Sequence, residues 1–108
     1  MVTARKLIID TDPGQDAALA ILLALGSPEL DVVGITTVAG NVPLDLTTRN
    51  ARLICELAGR PDVPILAGCD RPMVRPLVTA ENVHGKTGLD GPQWGEPSTE
   101  VHPQHAVD

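Results

Sequence analysis

An alternation of short apolar runs with longer helix-forming segments over the first 68 residues constrains the fold more than any other feature. The apolar runs are rich in β-branched side chains and predict buried strands at residues 6–9, 31–38 and 65–67. Between them, two segments have the composition and apolar spacing of helices, at residues 17–25 and 44–58. The order β-α-β-α-β is typical of a parallel sheet with right-handed crossover helices. We therefore predict an α/β fold with an open parallel sheet of Rossmann-like units.

The second part of the chain lacks this periodicity. Residues 69–108 contain many glycine and proline residues and all three histidines, which predicts a segment that is mostly loop and not core. A length of 108 residues is enough for one domain and not for two. We expect a single partial domain over residues 1–108, in which a truncated sheet over residues 1–68 is followed by a Gly/Pro-rich C-terminal segment.

Charge and hydropathy exclude several classes of partner. Eight basic and 14 acidic residues give a net charge of −6, and the isoelectric point is about 4.8. A chain this acidic is not expected to bind nucleic acid or an anionic membrane. No apolar run approaches the ~20 residues that a membrane span needs, and the N-terminus lacks the apolar stretch of a signal peptide. The sequence therefore predicts a cytoplasmic protein.

Three carboxylates follow the first predicted strand, and ligands of open parallel sheets bind beyond the carboxyl ends of the strands. Asp10, Asp12 and Asp16 lie within seven residues. Clustered carboxylates repel one another unless a cation lies among them, and oxygen ligands suit Ca²⁺ or Mg²⁺. The alternative is structural: Asp12 would cap the following helix, and Asp16 would complement the helix dipole.

Two further polar residues are candidates for a site at the same edge. Asn41 follows the second predicted strand, where its amide could contact a polar ligand or simply cap a helix or adopt a left-handed turn. His84 opens the glycine-rich segment and could be a pocket residue or a solvated loop histidine. Both interpretations stay open for each residue.

Three runs of this sequence together resemble the inosine–uridine nucleoside hydrolase family. They are LIIDTDPGQDAALA at residues 7–20, GITTVAGN at residues 34–41 and HGKTGLDG at residues 84–91. The runs occur in the order and approximate spacing of the family, so the resemblance covers essentially the whole chain. It implies a nucleoside hydrolase-like fold.

The resemblance also implies a reaction and a set of site residues. Members of the family cleave the N-glycosidic bond of ribonucleosides to give ribose and a free base, and they hold Ca²⁺ at the carboxyl edge of a parallel sheet. By this resemblance Asp12 would ligate Ca²⁺ and act as general base, with Asp10 as a supporting carboxylate behind the metal. Asp16 and Asn41 would bind the ribose, and His84 would lie near the pocket. The oligomeric state stays open, because family members form dimers or tetramers and exposed apolar surface would also favour association.

The sequence departs from the family in two respects. Ala17 occupies a position where the family has a Ca²⁺-ligating aspartate, and alanine cannot coordinate a metal. The chain is also shorter than family members, so we expect a truncated form with weakened Ca²⁺ binding and weak or no hydrolase activity. The alternative function is a non-catalytic pseudoenzyme or interaction module of the same fold.

A minor alternative is a phosphotransferase of the haloacid dehalogenase type, because Asp10 and Asp12 flank one residue after an apolar strand. Such a site needs a hydroxyl residue and small polar backbone groups soon after the second aspartate to hold the phosphate. Pro13 and Gly14 do not supply them, and Pro13 removes a backbone donor.

Overall fold

The computed structural model describes residues 3–90 and 95–108 and contains a three-stranded parallel sheet. The strands β1 (Arg5–Thr11), β2 (Leu30–Thr37) and β3 (Ile65–Ala67) lie side by side in that order. The helices α1 (Gln15–Leu25) and α2 (Leu44–Leu57) connect them, which confirms the predicted β-α-β-α-β order and the parallel α/β fold. A short helix, α3 (Glu81–His84), follows.

The register of the sheet brings the three carboxyl ends to one edge. Thr11 of β1 pairs with Thr37 of β2, and Thr37 pairs with Ala67 of β3. Both pairs join the last residues of neighbouring strands, so the loops that follow the three strands begin next to one another. The fold therefore places the candidate residues after β1 and β2 at adjoining positions.

The core lies between the sheet and the two long helices. Ile21 of α1, Ile35 of β2 and Ala51 of α2 are completely buried, and they belong to one apolar cluster with Ile54 and Ile65. Burial of such side chains is the main source of stability in a domain of this size. No helix in the described part of the chain is long and apolar enough to cross a membrane.

The segment after β3 is less separate from the core than the sequence predicts. Most of it is irregular, but Leu89 is 6% exposed and belongs to the apolar cluster, so the prediction that this segment contributes no core residue is wrong. A single leucine among glycines and polar residues has no periodicity from which burial can be inferred. Further along, the backbone amides of His102 and Ala106 donate to carbonyl oxygens of β3, at Ile65 and Ala67.

Candidate active site

Asp12 and Asn41 contact each other at the carboxyl edge of the sheet through two hydrogen bonds. The backbone amide of Asn41 donates to Oδ2 of Asp12 at 2.9 Å, and the Asn41 side-chain Nδ2 donates to the Asp12 carbonyl oxygen, also at 2.9 Å. Both residues are partly buried. Asp12 and Asn41 therefore hold the loop after β1 and the loop after β2 together, and each of them is a candidate site residue on the sequence alone.

The positions of the helix caps exclude one interpretation of each of the two residues. The N-cap of α1 is Gly14, and the N-cap of α2 is Pro43, neither with a side-chain cap hydrogen bond, so the helix-capping interpretation is wrong for Asp12 and for Asn41. Asn41 does not have a positive φ either, because within the described residues only glycines do. The Asp12 carboxylate points towards the neighbouring loop and not along its own helix.

Gly40 provides the space that the Asp12 carboxylate occupies. A Cβ atom at position 40 would lie 2.0 Å from Oδ2 of Asp12 and 2.8 Å from its Cγ. Contacts this short cannot be accommodated without moving the carboxylate, so a side chain at position 40 is incompatible with the observed pair. The glycine before Asn41 is thus required by a close approach and not by its own backbone angles.

The other candidate carboxylates are placed differently. Asp10, in β1, is exposed, and its Oδ1 accepts a hydrogen bond of 2.8 Å from the Thr36 hydroxyl in β2. Asp16 lies in the first turn of α1 and is exposed, and the half-buried Ala17 follows it. Asp12 is therefore the one member of the acidic cluster whose side chain binds the loop that carries Asn41.

His84 is brought towards the same edge through the backbone. The amide of Ala80, the residue before α3, donates to the Asn41 carbonyl oxygen at 2.8 Å, so α3 begins beside Asn41 and ends at His84. The side chain of His84 and the residue Gly91 lie outside the described part of the chain. The pocket role predicted for His84 remains a prediction.

One buried polar residue at this junction was not selected from the sequence. Asn50 of α2 is completely buried, and its Nδ2 donates to the carbonyl oxygen of Pro13 at 3.0 Å and to that of Thr87 at 2.7 Å. It joins the loop after β1 to the loop after α3. A signal was present, because Asn50 lies three and four residues before Leu53 and Ile54, on the apolar face of its helix.

The loop after α3 is closed by its own hydrogen bonds. The Asp90 carboxylate accepts from the backbone amides of Lys86 and Thr87 and from the Thr87 hydroxyl. These bonds, the one from the Thr87 side chain first, hold the pKa of Asp90 below its usual value. Gly85 has a φ of 82°, and a Cβ there would lie 2.4 Å from the Asp90 carboxyl group, so the turn requires glycine.

The described residues do not form a complete calcium site. Asp10 and Asp12 supply oxygen atoms, the donor type that Ca²⁺ prefers. Within residues 3–90 and 95–108, however, no three His, Cys, Asp or Glu side chains are grouped so that they could hold a metal ion. Ala17 adds no donor, and one oxygen of Asp12 already accepts the Asn41 amide. Six to eight oxygen ligands are usual for Ca²⁺, so this donor set is insufficient.

Comparison with known proteins agrees with the resemblance. Residues 7–108 match the family described as inosine-uridine preferring nucleoside hydrolase. The chain is 48% identical over 104 residues to the inosine-uridine preferring nucleoside hydrolase of Crithidia fasciculata, covering 95% of this chain and 33% of that protein. It is 50% identical over 105 residues to the pyrimidine-specific ribonucleoside hydrolase RihA of Photobacterium profundum, covering 97% of this chain and 34% of that protein. The chain thus spans about a third of the length of these curated relatives.

The solved structures lead to the same conclusion about the fold. The purine-preferring ribonucleoside hydrolase from Gardnerella vaginalis superposes with a TM-score of 0.89 at 34% identity, over 95% of this chain and 34% of that one. A plant nucleoside hydrolase superposes with a TM-score of 0.76 at 42% identity, over 90% of this chain and 32% of that one. The fold, the matched residues and the paired Asp12 and Asn41 have one common explanation: the chain belongs to the inosine–uridine preferring nucleoside hydrolase family.

Proposed function

We propose that this chain forms the first part of the catalytic centre of a ribonucleoside hydrolase, which cleaves the N-glycosidic bond to give ribose and a free base. The observation that carries the proposal is the pair of hydrogen bonds between Asp12 and Asn41 at the carboxyl edge of the sheet. Two motif residues that are 29 positions apart in the sequence meet where open α/β sheets bind ligands.

In the proposed reaction Asp12 is the general base. A water molecule attacks the anomeric carbon of the ribose, a C–O bond forms, and the C–N bond to the base breaks with its electron pair leaving on the base. The water proton passes to the Asp12 carboxylate, and the departing base takes up a proton from its surroundings. Carboxylate charge near the sugar also stabilises the oxocarbenium-like character of the transition state.

The remaining candidates are assigned to the ribose. Asp16, exposed in the first turn of α1, and the side chain of Asn41 offer a carboxylate and an amide to the sugar hydroxyls. His84 ends α3, whose start is hydrogen-bonded to Asn41, and it is assigned to the wall of the pocket. Binding energy from such hydroxyl contacts is useful when it strengthens in the transition state.

The calcium assignment is a separate proposal for Asp12, with Asp10 behind it. Because the described residues supply too few oxygen ligands, no step of the reaction above depends on the metal. A calorimetric titration of the protein with Ca²⁺, repeated for Asp12→Asn, tests the assignment directly. Weaker binding by the variant supports it, and equal affinities of the two proteins would refute it.

The hydrolase proposal is tested by Asp12→Asn in the protein that carries this chain, with release of base from inosine and uridine as the measurement. Asparagine keeps the size of the side chain but cannot accept the proton, so we expect the rate to fall about 10²- to 10⁴-fold. Asp45→Asn, at an exposed position in the first turn of α2, is the matched control and should retain the rate. A rate equal to that of the unsubstituted protein in Asp12→Asn would contradict the proposal.

A second candidate is a non-catalytic protein of the same fold, and Ala17 is the observation that favours it. An alanine in the first turn of α1, beside Asp16, supplies no ligand where the resemblance implies one. Under the hydrolase proposal combined with the calcium assignment, Ala17→Asp should raise Ca²⁺ affinity about 10- to 100-fold or more, the usual size of an effect on a metal site. Ala18→Asp is the control, one position along the helix. No gain over that control would favour the non-catalytic candidate.

A further inference from the structure

The buried side chain of Asn50 connects the two loops that carry the Asp12 and His84 motifs. Its Nδ2 lies 3.0 Å from the Pro13 carbonyl oxygen and 2.7 Å from the Thr87 carbonyl oxygen. Pro13 directly follows Asp12 in the sequence, and Thr87 lies three residues after His84. A single amide group on α2 thus donates to one carbonyl oxygen from each loop, in a buried bond to Pro13 and a partly buried bond to Thr87.

The surroundings of the amide fix its orientation. Both neighbours are carbonyl oxygens, so the nitrogen must face them, since a flipped amide would oppose oxygen to oxygen twice. The Asn50 Oδ1 atom is buried and has no hydrogen-bond partner within the described part of the chain. An unpaired buried acceptor costs free energy, so the two hydrogen bonds that Nδ2 donates must offset that cost and keep the side chain in this position.

Glycine at position 88 allows the second loop to approach Asn50. Gly88 has a φ of 84°, and a Cβ there would lie 2.9 Å from Nδ2 of Asn50 and 3.3 Å from the Val42 side chain. Val42 is completely buried and directly follows Asn41. The loop after α3 therefore packs against Asn50 and against the loop of Asn41 at the same point.

From this geometry we infer that Asn50 is a positioning residue, which couples the loop after β1 to the loop after α3 and so fixes the Asp12 carboxylate. An effect of Asn50 on catalysis rests on the proposed function, but the coupling of the two loops is a property of the fold alone. The coupling makes a specific prediction. Loss of the Asn50 amide should weaken hydrogen bonds in both loops at once. The two carbonyl groups that it contacts belong to Pro13 and Thr87, which are each 37 residues from Asn50 in the sequence.

The test is amide hydrogen exchange on the full chain, with Asn50→Ala compared with the unsubstituted protein. Two backbone amides report on the loops: that of Asn41, which donates to Asp12, and that of Thr87, which donates to Asp90. We expect exchange at both amides to become about 10- to 100-fold faster, because each loop loses a hydrogen bond from Asn50 to one of its carbonyl groups.

Thr48→Val is the matched structural control. Thr48 is buried on the same helix, and its hydroxyl makes a 2.8 Å hydrogen bond to the Thr37 hydroxyl of β2 and not to a carbonyl oxygen of either loop. The control should lower global stability without accelerating exchange at Asn41 and Thr87 beyond the other core amides. If Asn50→Ala produces only the same uniform change, Asn50 is a core residue without a positioning role and the inference is overturned.

A second variant keeps the test decisive if Asn50→Ala does not fold. Gly88→Ala introduces a Cβ next to the Asn50 amide from the side of the second loop. Faster exchange at Asn41, whose amide donates to Asp12 in the loop after β1, supports the coupling, and an effect confined to residues 85–90 overturns it. If the protein has nucleoside hydrolase activity, a variant in which exchange is faster at both Asn41 and Thr87 should lower kcat more than it raises KM. A protein with coupled loops and no such activity would refute the proposed function alone.

Discussion

Two regions of this molecule are held in place by different forces, and α2 contributes to both. The β-α-β-α-β region is organised by an apolar cluster in which Ile21, Ile35 and Ile54 are buried. Apart from Leu89, which belongs to that cluster, the irregular region after α3 is attached to the same helix by polar side chains. Asn50 binds the loop at Thr87, Arg52 donates to the carbonyl oxygens of Pro97 and Thr99, and further contacts come from Arg49 and Glu56.

The difference explains why one region can be predicted and the other cannot. An apolar face needs residues at fixed intervals, because a helix or strand presents one side to the core. Hydrogen bonds to backbone carbonyls need only one well-placed donor, and the sequence of the bound segment is almost unconstrained. The irregular segment after α3 is thus held in place largely by polar side chains of α2, a helix whose own position can be predicted from its apolar spacing.

The largest loss of stability is expected from a substitution at the centre of the apolar cluster in the β-α-β-α-β region. Ile35→Ala removes a completely buried side chain from β2, and large-to-small changes of this kind cost about 2–5 kcal/mol. Urea unfolding of the 108-residue chain, followed by circular dichroism, measures the loss. Ile8→Ala is the control on the neighbouring strand, because Ile8 is 64% exposed and should change stability by far less. Equal losses for the two variants would contradict the location of the core.

A smaller effect is expected where the two loops of the first region meet. Gly40→Ala would place a Cβ 2.0 Å from the Asp12 carboxylate, so the carboxylate must leave the Asn41 amide. An unsatisfied buried donor costs about 1–3 kcal/mol, so for this partly buried amide we expect a loss at the lower end of that range, and the nuclear magnetic resonance signal of the Asn41 amide should shift. Gly95→Ala is the control, because no atom of residues 3–90 or 95–108 lies within 4 Å of the corresponding Cβ. An unshifted Asn41 signal would show that the pair tolerates a side chain at position 40.

The sequence predicts the fold of this chain better than the contacts of its site. Strand and helix order followed from apolar spacing, and the parallel topology brings Asp12 and Asn41 to one edge. Their hydrogen bonds did not follow, because capping and turn formation use the same residue types at the same positions. The role of Asn50 cannot be predicted from the sequence, because an asparagine on an apolar helix face resembles an interruption of that face and its partners are backbone carbonyls, which carry no sequence signal.

The smallest predicted effect is confined to the second region and depends on pH. Hydrogen bonds to Glu56, above all from the Ser98 backbone amide and also from the Thr99 and Ser98 hydroxyls, lower its pKa to about 2, although desolvation opposes this shift. A carboxylate with a lowered pKa stabilises the folded contact fully above its ordinary value of 4.5 and loses that contribution as the pH falls from there through about 2.

We therefore expect the Ser98 amide to be protected from exchange at neutral pH and to lose that protection as the pH falls towards 2. In Glu56→Gln the protection should be weak at every pH, because a neutral amide is a poorer acceptor than a carboxylate. Glu100→Gln, at an exposed position of the same segment, should behave like the unsubstituted chain. The core should not respond to any of these changes, because its contacts carry no charge. If loss of Glu56 lowered the stability of the whole chain as Ile35→Ala does, the two regions would form one cooperative unit.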